Sequence, residues 1–254
     1  MASRPPSPKA LVPSDRPLYD QVRHQLIEGI SAGEWRAGEA VPSEVQLAVT
    51  FGVAIGTIRK AVDGLVAEGA LVRRQGKGTF VTAHDARQLL FHFFHIVPRE
   101  GPPVHPSVRT VAFRRDRADA AIAKALRLAP HDKVIRIRNV LSLAGTPVCV
   151  DDITIAAELF PGLSEKLFVS RGSTIYHLYQ SRYGINVLRT DERLRSILAA
   201  GDVAQLLGVG ANAPLLEIQR IALTFRDRPV ELRISRVNTA RHDYYNTLDK
   251  AQAL

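Results

Sequence analysis

Apolar residues recur every three or four positions over residues 18–32. Tyr19, Val22, Leu26 and Ile30 fall on one stripe, which predicts an amphipathic helix, and Gly33 is its stop. Trp35 opens an extended link through Gly38 to Pro42 and is expected as a plug between helices. Ser43 then caps a second helix, with Gln46 three residues on to close a capping box, and Leu47, Ala48 and Phe51 face inward. Gly52 breaks that helix where a tight turn needs positive φ. A third helix is expected over residues 54–68. It buries Ile58, Ala61, Val62 and Leu65 and leaves Gly56, Thr57, Arg59 and Lys60 outward near its N-terminus. Leu71–Arg74 and residues 79–81 read as two short strands around Gln75-Gly76-Lys77-Gly78, a tight hairpin with Lys77 at its tip.

The pattern then changes. Residues 91–97 are apolar and aromatic and predict a strand, residues 98–106 a Pro/Gly loop, and residues 108–115 alternate as a strand. Residues 118–128 have helical spacing through Ile122, Ala125 and Leu126. A repeat follows: A-K-A-L-R-L-A-P-H-D-K-V-I-R-I-R (123–138) parallels A-Q-L-L-G-V-G-A-N-A-P-L-L-E-I-Q (204–219), 81 positions on. G-T-P-V-C-V-D (145–151) likewise parallels D-R-P-V-E-L-R (227–233), 82 positions on. Each copy predicts helix, turn, strand, hairpin, strand, with a helix at 174–183 and a long strand at 186–197 between the copies. Two copies are too few for a solenoid; they predict a pseudo-symmetric α+β domain with an antiparallel sheet.

A chain of 254 residues with 46% hydrophobic and 23% charged positions has room for two globular domains. Prolines at 5, 6, 8, 13 and 17 mark a flexible tail. The expected organisation is a tail at 1–16, a first domain at 17–82, a linker at 83–90 and a second domain at 91–247. The single Cys149 excludes an internal disulfide and a cysteine zinc site, and sits in the apolar run P-V-C-V as a core residue; a cytoplasmic protein is expected. No run approaches 18 apolar residues, and no apolar stretch follows Arg4 and Lys9, so neither a membrane span nor a secretory signal is expected.

The formal charge is +9, but residues 1–82 hold 10 basic and 8 acidic side chains and residues 83–254 hold 24 and 17. Bulk charge therefore does not single out the first domain, and the argument for DNA rests on placement. Helix, turn, helix and basic hairpin in this order form a winged helix-turn-helix, whose second helix enters the major groove. Arg59 and Lys60 lie on that helix; Arg73, Arg74 and Lys77 lie on the wing, where they can follow phosphates. The plainer reading of the charge alone is a solvated basic surface. Arg136 and Arg138 alternate on one strand and share a face, a pairing that suits phosphate or carboxylate, or else a ladder of surface salt bridges. His92 and His95 lack a third ligand nearby and read as structural. No Ser/His/Asp order, acid/base pair or phosphate loop stands out, so neither an enzyme nor a cofactor is expected.

The motifs P-L-Y-x-Q-V, G-E-W-x-x-G-E, P-S-E, F-G-V, T-I-R-K-A, L-V-A-E-G and G-K-G-T-F-V, in this order over residues 17–81, resemble the GntR family of bacterial transcription regulators. The resemblance implies binding to double-stranded operator DNA through Ser43, Thr57, Arg59, Lys60, Arg73, Arg74, Lys77 and Gly78. Two departures stand out: Val45 replaces the family's Arg after P-S-E, and Ala54-Ile55 replaces its Ser-Arg. The expected operator therefore differs from the common family site, with Ile55 placed to meet a thymine methyl. The pieces I-R-I-R…G-T-P-V, A-E-L-F-P-G-L, Y-G-I-N-V, L-L-G-V…P-L-L-E-I-Q-R and R-P-V-E-L are similar to the UTRA effector-binding domain of the HutC subfamily.

That second resemblance implies a chorismate-lyase-like fold, a small-molecule pocket and a homodimer. It also implies an effector site made by Arg136, Arg138, Asp151 (four after Pro147), Glu231 (two after Pro229) and Ser173 in G-S-T-I-Y. The paired arginines point to an anionic effector. Phe91-His92-Phe93-Phe94-His95 and the stretch from Asn238 to Tyr244 depart from the family's sugar-phosphate motifs. The expected function is a dimeric, effector-controlled repressor on an inverted repeat. The alternatives are a lyase-like enzyme domain fused to a DNA-binding module and a regulator without an effector.

Overall fold

The computed structural model describes residues 16–82, 94–102 and 104–246. The expectations for the tail, for the linker at 83–90 and for Phe91, His92 and Phe93 lie outside the described residues, Arg16 of the tail excepted.

Helices α1 (Leu18–Ser31), α2 (Glu44–Phe51) and α3 (Ile55–Ala67) meet on their apolar stripes, and Val22, Leu26, Leu47, Ile58 and Leu65 are buried between them. The capping box forms: Ser43 accepts from the Gln46 amide, and the Gln46 side chain accepts from the Ser43 amide at 2.9 Å. Gly52 ends α2 in the left-handed region at φ 65°, a conformation that lets α3 leave at 115° to α2. Trp35 lies over α1 at Gly29, where a Cβ would come within 2.5 Å of the indole, so this position has to stay bare. The hairpin β1 (Leu71–Arg74) and β2 (Gly78–Val81) follows, closed by the Lys77 amide donating to the Arg74 carbonyl.

The rest of the chain adds β3 (Ile96–Pro98), β4 (Ser107–Arg117), α4 (Ala120–Leu126), β5 (Lys133–Leu143), β6 (Thr146–Ala156), α5 (Glu165–Val169) and α6 (Ile175–Tyr183). It continues through β7 (Arg189–Leu198), α7 (Gly201–Leu207), β8 (Pro214–Thr224), β9 (Arg228–Val237) and β10 (His242–Tyr244). Six strands form one antiparallel sheet in the order β4-β5-β6-β9-β8-β7, and β3 pairs with β10 apart from it. The order makes the duplication visible: β4-α4-β5-β6 and β7-α7-β8-β9 are two copies that meet at β6 and β9. Asp152 faces Ile234 across that seam, 82 positions apart, so a pseudo-twofold axis passes through this pair.

Two expectations are corrected. The strand expected over 186–197 starts at Arg189 and is no spacer; it is the first strand of the second copy, the counterpart of β4. Asn186 instead is buried and accepts from the Gln180 side chain. The strand expected over 91–97 is confined, among the described residues, to Ile96–Pro98.

Each copy carries a β-bulge at the same place in its hairpin, and the first has another at Val111 between β4 and β5. In the first, Leu141 pairs with Cys149 and Ser142 with Pro147, so Val148 is the extra residue; in the second, Val230 is extra. Helices α4 and α7 cover one face of the sheet through Val134, Val140, Val150 and Leu232. The other face is covered by α5 and α6 over Ile135, Ile137, Ile153 and Ile155, and by the β3–β10 ribbon over Leu141, Cys149 and Val237. The turn Phe225–Asp227, between β8 and β9, inserts Phe225 into the core of the first three helices. Arg226 and Asp227 take positive φ, and Arg127 and Arg189 hold the turn through the Asp227 carbonyl and carboxylate.

Candidate functional site

On the first domain, Ser43, Arg59, Lys60, Arg73, Arg74, Lys77 and Gly78 are exposed and Thr57 is half-buried. They occupy the starts of α2 and α3 and the hairpin. The Glu44 carboxylate ties them together, accepting from Arg59 Nε at 3.0 Å and from Arg73 Nη2 at 3.1 Å. Arg73 also pairs with Asp63 at 2.6 Å. Lys60 sits over the Tyr19 ring at 4.1 Å and Arg74 over Phe80 at 4.7 Å, which fixes two long side chains by cation–π contact. The motif signal for Glu44 was present in P-S-E, but its role as a shared acceptor follows only from the fold.

The five expected effector residues do not converge. Arg136 and Arg138 lie on the α4/α7 face, in a cleft of about 560 Å³ with Arg114, Asp152 and Arg236. Asp151 and Glu231 point to the opposite face, with Cys149, Arg233 and Ser235. The bulge at Val148 is the reason. A regular two-residue hairpin would set Asp151 opposite Arg138; the extra residue sets it opposite Asn139 and reverses its face.

Nor are the two arginines open to an anion. Arg136 meets Asp116 at 3.0 Å and Asp119 at 3.2 Å. Arg138 forks onto Asp152 at 2.6 and 3.0 Å and meets Asp202. Its hydrogen bond to Asp152 raises the Arg138 guanidinium above its ordinary value. Arg236 also donates to Asp152, and although burial works against it, these two arginines hold that carboxyl below the usual range.

The α6 side of the sheet carries a polar seam between two apolar clusters. Arg233 forks onto Glu231 at 2.9 and 3.2 Å and reaches Asp151 at 3.2 Å. Tyr176 and Tyr179 donate to Glu231 at 3.0 and 2.7 Å, so this fully buried carboxylate is saturated and acts as an anchor for α6. Burial and the Glu231 charge push both phenols up. Asp151 accepts from Cys149 and from Ser235, the latter at 2.5 Å, and burial pushes the Cys149 thiol up. Arg220 pairs with Glu192, which also accepts from Tyr244 of β10.

Among the described residues, several buried polar atoms in this layer have no partner, His177 Nδ1 and Tyr183 Oη of α6 among them. One is Asn139 Nδ2, although Asn139 is 1% exposed and its carbonyl accepts from Thr110. Two more are Ser173 Oγ and Arg171 Nε, just ahead of the α6 cap Thr174, whose side chain accepts from the His177 amide. Ser173 is thus on the Asp151 side, away from Arg136 and Arg138. Asn139 follows Arg138 on β5 and so takes the opposite face by strand alternation; what was missed is that the bulge brings Asp151 opposite it.

The GntR description, bacterial regulatory proteins of the gntR family, matches residues 18–81, and the UTRA domain matches residues 103–243. The chain is 30% identical over 216 residues to a protein of Escherichia coli (strain K12) named "Probable fructoselysine utilization operon transcriptional repressor", covering 85% of this chain and 88% of that one. It is 30% identical over 206 residues to the histidine utilization repressor of Pseudomonas putida, covering 80% and 81%. Among solved structures, the ligand-binding domain assigned to a GntR-family transcriptional regulator from Bordetella bronchiseptica superposes with a TM-score of 0.60 at 35% identity, over 62% of this chain and 98% of that one. PhnF from Mycobacterium smegmatis shares the fold over 90% of this chain and 99% of its own, with a TM-score of 0.53 at 24% identity. A DNA-binding unit and an effector-binding unit of these two kinds on one chain make it a transcription regulator, and the chain belongs to the GntR family as a member with a UTRA domain.

Proposed function

We propose that this chain is a cytoplasmic, homodimeric repressor that binds an inverted-repeat operator through residues 17–82 and a small polar metabolite through residues 91–247. The effector occupies the seam between the sheet and α6, not the cleft around Arg136 and Arg138. The observation that carries this is the buried Asn139 amide nitrogen without a partner. An unsatisfied buried donor costs about 1–3 kcal/mol, which a ligand oxygen recovers. The arginines that spoke for an anion are committed to carboxylates, while the seam pairs acids with bases, so a ligand with both donors and acceptors fits it better. Ser173 and Arg171, at the start of α6, supply further polar atoms without a partner among the described residues. For the dimer, the support is the family fold and the strip of sheet between α4 and α7, where Arg136, Asp152 and Arg236 line an open cleft.

The test starts with duplexes selected from a random pool and a melting screen of metabolites, led by the fructoselysine and histidine of the relatives' names. Asn139→Leu should fold and bind operator as before but give no ligand-induced shift. The double Arg136→Ala, Arg138→Ala variant should keep its response. A normal response in Asn139→Leu removes the seam from the effector site. Sedimentation gives the mass of the free and bound protein. Lys77→Ala should lower the slope of log affinity against log salt by about 1, as for one lost phosphate contact.

A further inference from the structure

Large apolar side chains stand in water where the DNA-facing surface is otherwise charged. Val45 is 59% exposed in the first turn of α2, and Ile55, the first residue of α3, is 41% exposed. Both border the Glu44–Arg59 pair: Val45 follows Glu44 in the chain, and Ile55 lies one helical turn before Arg59 on the same side of α3. Glu44 accepts from Arg59 Nε, which draws the guanidinium toward the start of α2, where Val45 follows Glu44. The surrounding Arg73, Arg74 and Lys77 fit a polyanion. In the major groove, the apolar group on a base edge is the C5 methyl of thymine.

We propose that Val45 and Ile55 read thymine methyl groups on either side of the base pair that Arg59 approaches, and that Glu44 is the positioning residue that keeps Arg59 between them. This rests on the DNA-binding reading above. Each half-site then carries thymines at two positions chosen by shape and apolar contact. Val49, 78% exposed one turn further along α2 from Val45, stands outside this assignment and serves as a control.

The experiment uses the full chain and the duplex it selects from a random pool. Each thymine in a half-site is replaced in turn by deoxyuridine, which removes the methyl and leaves the hydrogen-bonding edge intact. Wild-type protein should bind about three- to fivefold more weakly at two positions, the worth of one buried methyl. Ile55→Ala should lose that sensitivity at one position and Val45→Ala at the other, while Val49→Ala keeps both. All three side chains are exposed, so the melting midpoints should match wild type, separating a reading defect from a folding defect. Uniform indifference to deoxyuridine overturns the inference, as does sensitivity that survives in both variants. If the variants instead change the mass of the protein–DNA complex without any deoxyuridine effect, the apolar residues form a protein contact and the inference is also overturned. Failure to enrich any sequence would remove the DNA-binding reading itself, and this inference with it.

Discussion

Phe225 offers a direct measure of how firmly the two parts of the chain are joined. It extends from the β8–β9 turn, yet it is 8% exposed within the core of α1, α2 and α3. Removing a core phenylalanine costs about 3–5 kcal/mol when the cavity stays open. Phe225 enters from a turn at the edge of the cluster, where neighbours can close in, so the transfer part alone, about 2 kcal/mol, is the better figure. For a domain of this size each kcal/mol moves the midpoint by about 4–8 °C, so Phe225→Ala should lower the melting of the first domain by about 10 °C. Trp35, the only tryptophan, packs against the same core and reports that domain alone. Its fluorescence should fall ahead of the strand circular dichroism of the sheet in the variant, while the two coincide in wild type. Coincident transitions at the wild-type midpoint would refute the docking role of Phe225.

Gly56→Ala should separate stability from binding. A Cβ there meets nothing within 4 Å, so the variant should gain about 0.5–1 kcal/mol of stability in urea melts. The added methyl stands at the start of α3, the turn proposed to approach DNA, and affinity for the selected duplex should fall; unchanged affinity would mean that DNA does not approach this turn. Acid should weaken the sheet through Asp152 and Glu192. Burial opposes both charges, but Arg138 and Arg236 hold the first carboxyl below its usual range and Arg220 and Tyr244 the second. A lowered folded value means stability that is present above about pH 4 and is lost as pH falls through the folded values. Urea midpoints at pH 6 and pH 3 should therefore converge in Asp152→Asn relative to wild type, and an unchanged acid limb in that variant would rule out its contribution.

The helices of the first domain were legible because their signals are local. Ser43 and Gln46 sit three apart, Gly52 marks the turn, and the stripe from Val22 to Ile30 has helical spacing. The duplication was legible as well, since its two halves keep their hairpin prolines, Pro147 and Pro229, 82 positions apart. What stayed hidden depends on parity. One extra residue, Val148, moves Asp151 from the face of Arg138 to that of Asn139, and nothing in P-V-C-V-D announces a bulge. The ion pairs of Arg136 and Arg138 were equally hidden, because Asp119 and Asp202 come from helices that only the sheet order brings over those strands. The role of Glu44 needed α2, α3 and the wing together.

The pseudo-twofold axis carries a consequence for symmetry itself. Asp151 and Arg233 are equivalent positions of the two copies, 82 apart, and they meet across the axis at 3.2 Å. An exact repeat would place the same charge at both. Two buried carboxylates at that distance could not both ionise, and two guanidiniums would repel. The pair exists because the copies differ there, and the difference leaves the two sides of the axis chemically unlike: Asp151 on one, Arg233 with Glu231 on the other. A ligand in the proposed seam would therefore meet different partners on the two sides of the axis. The doubled half-domain thus carries one such ion pair, on the axis, instead of two equivalent ones.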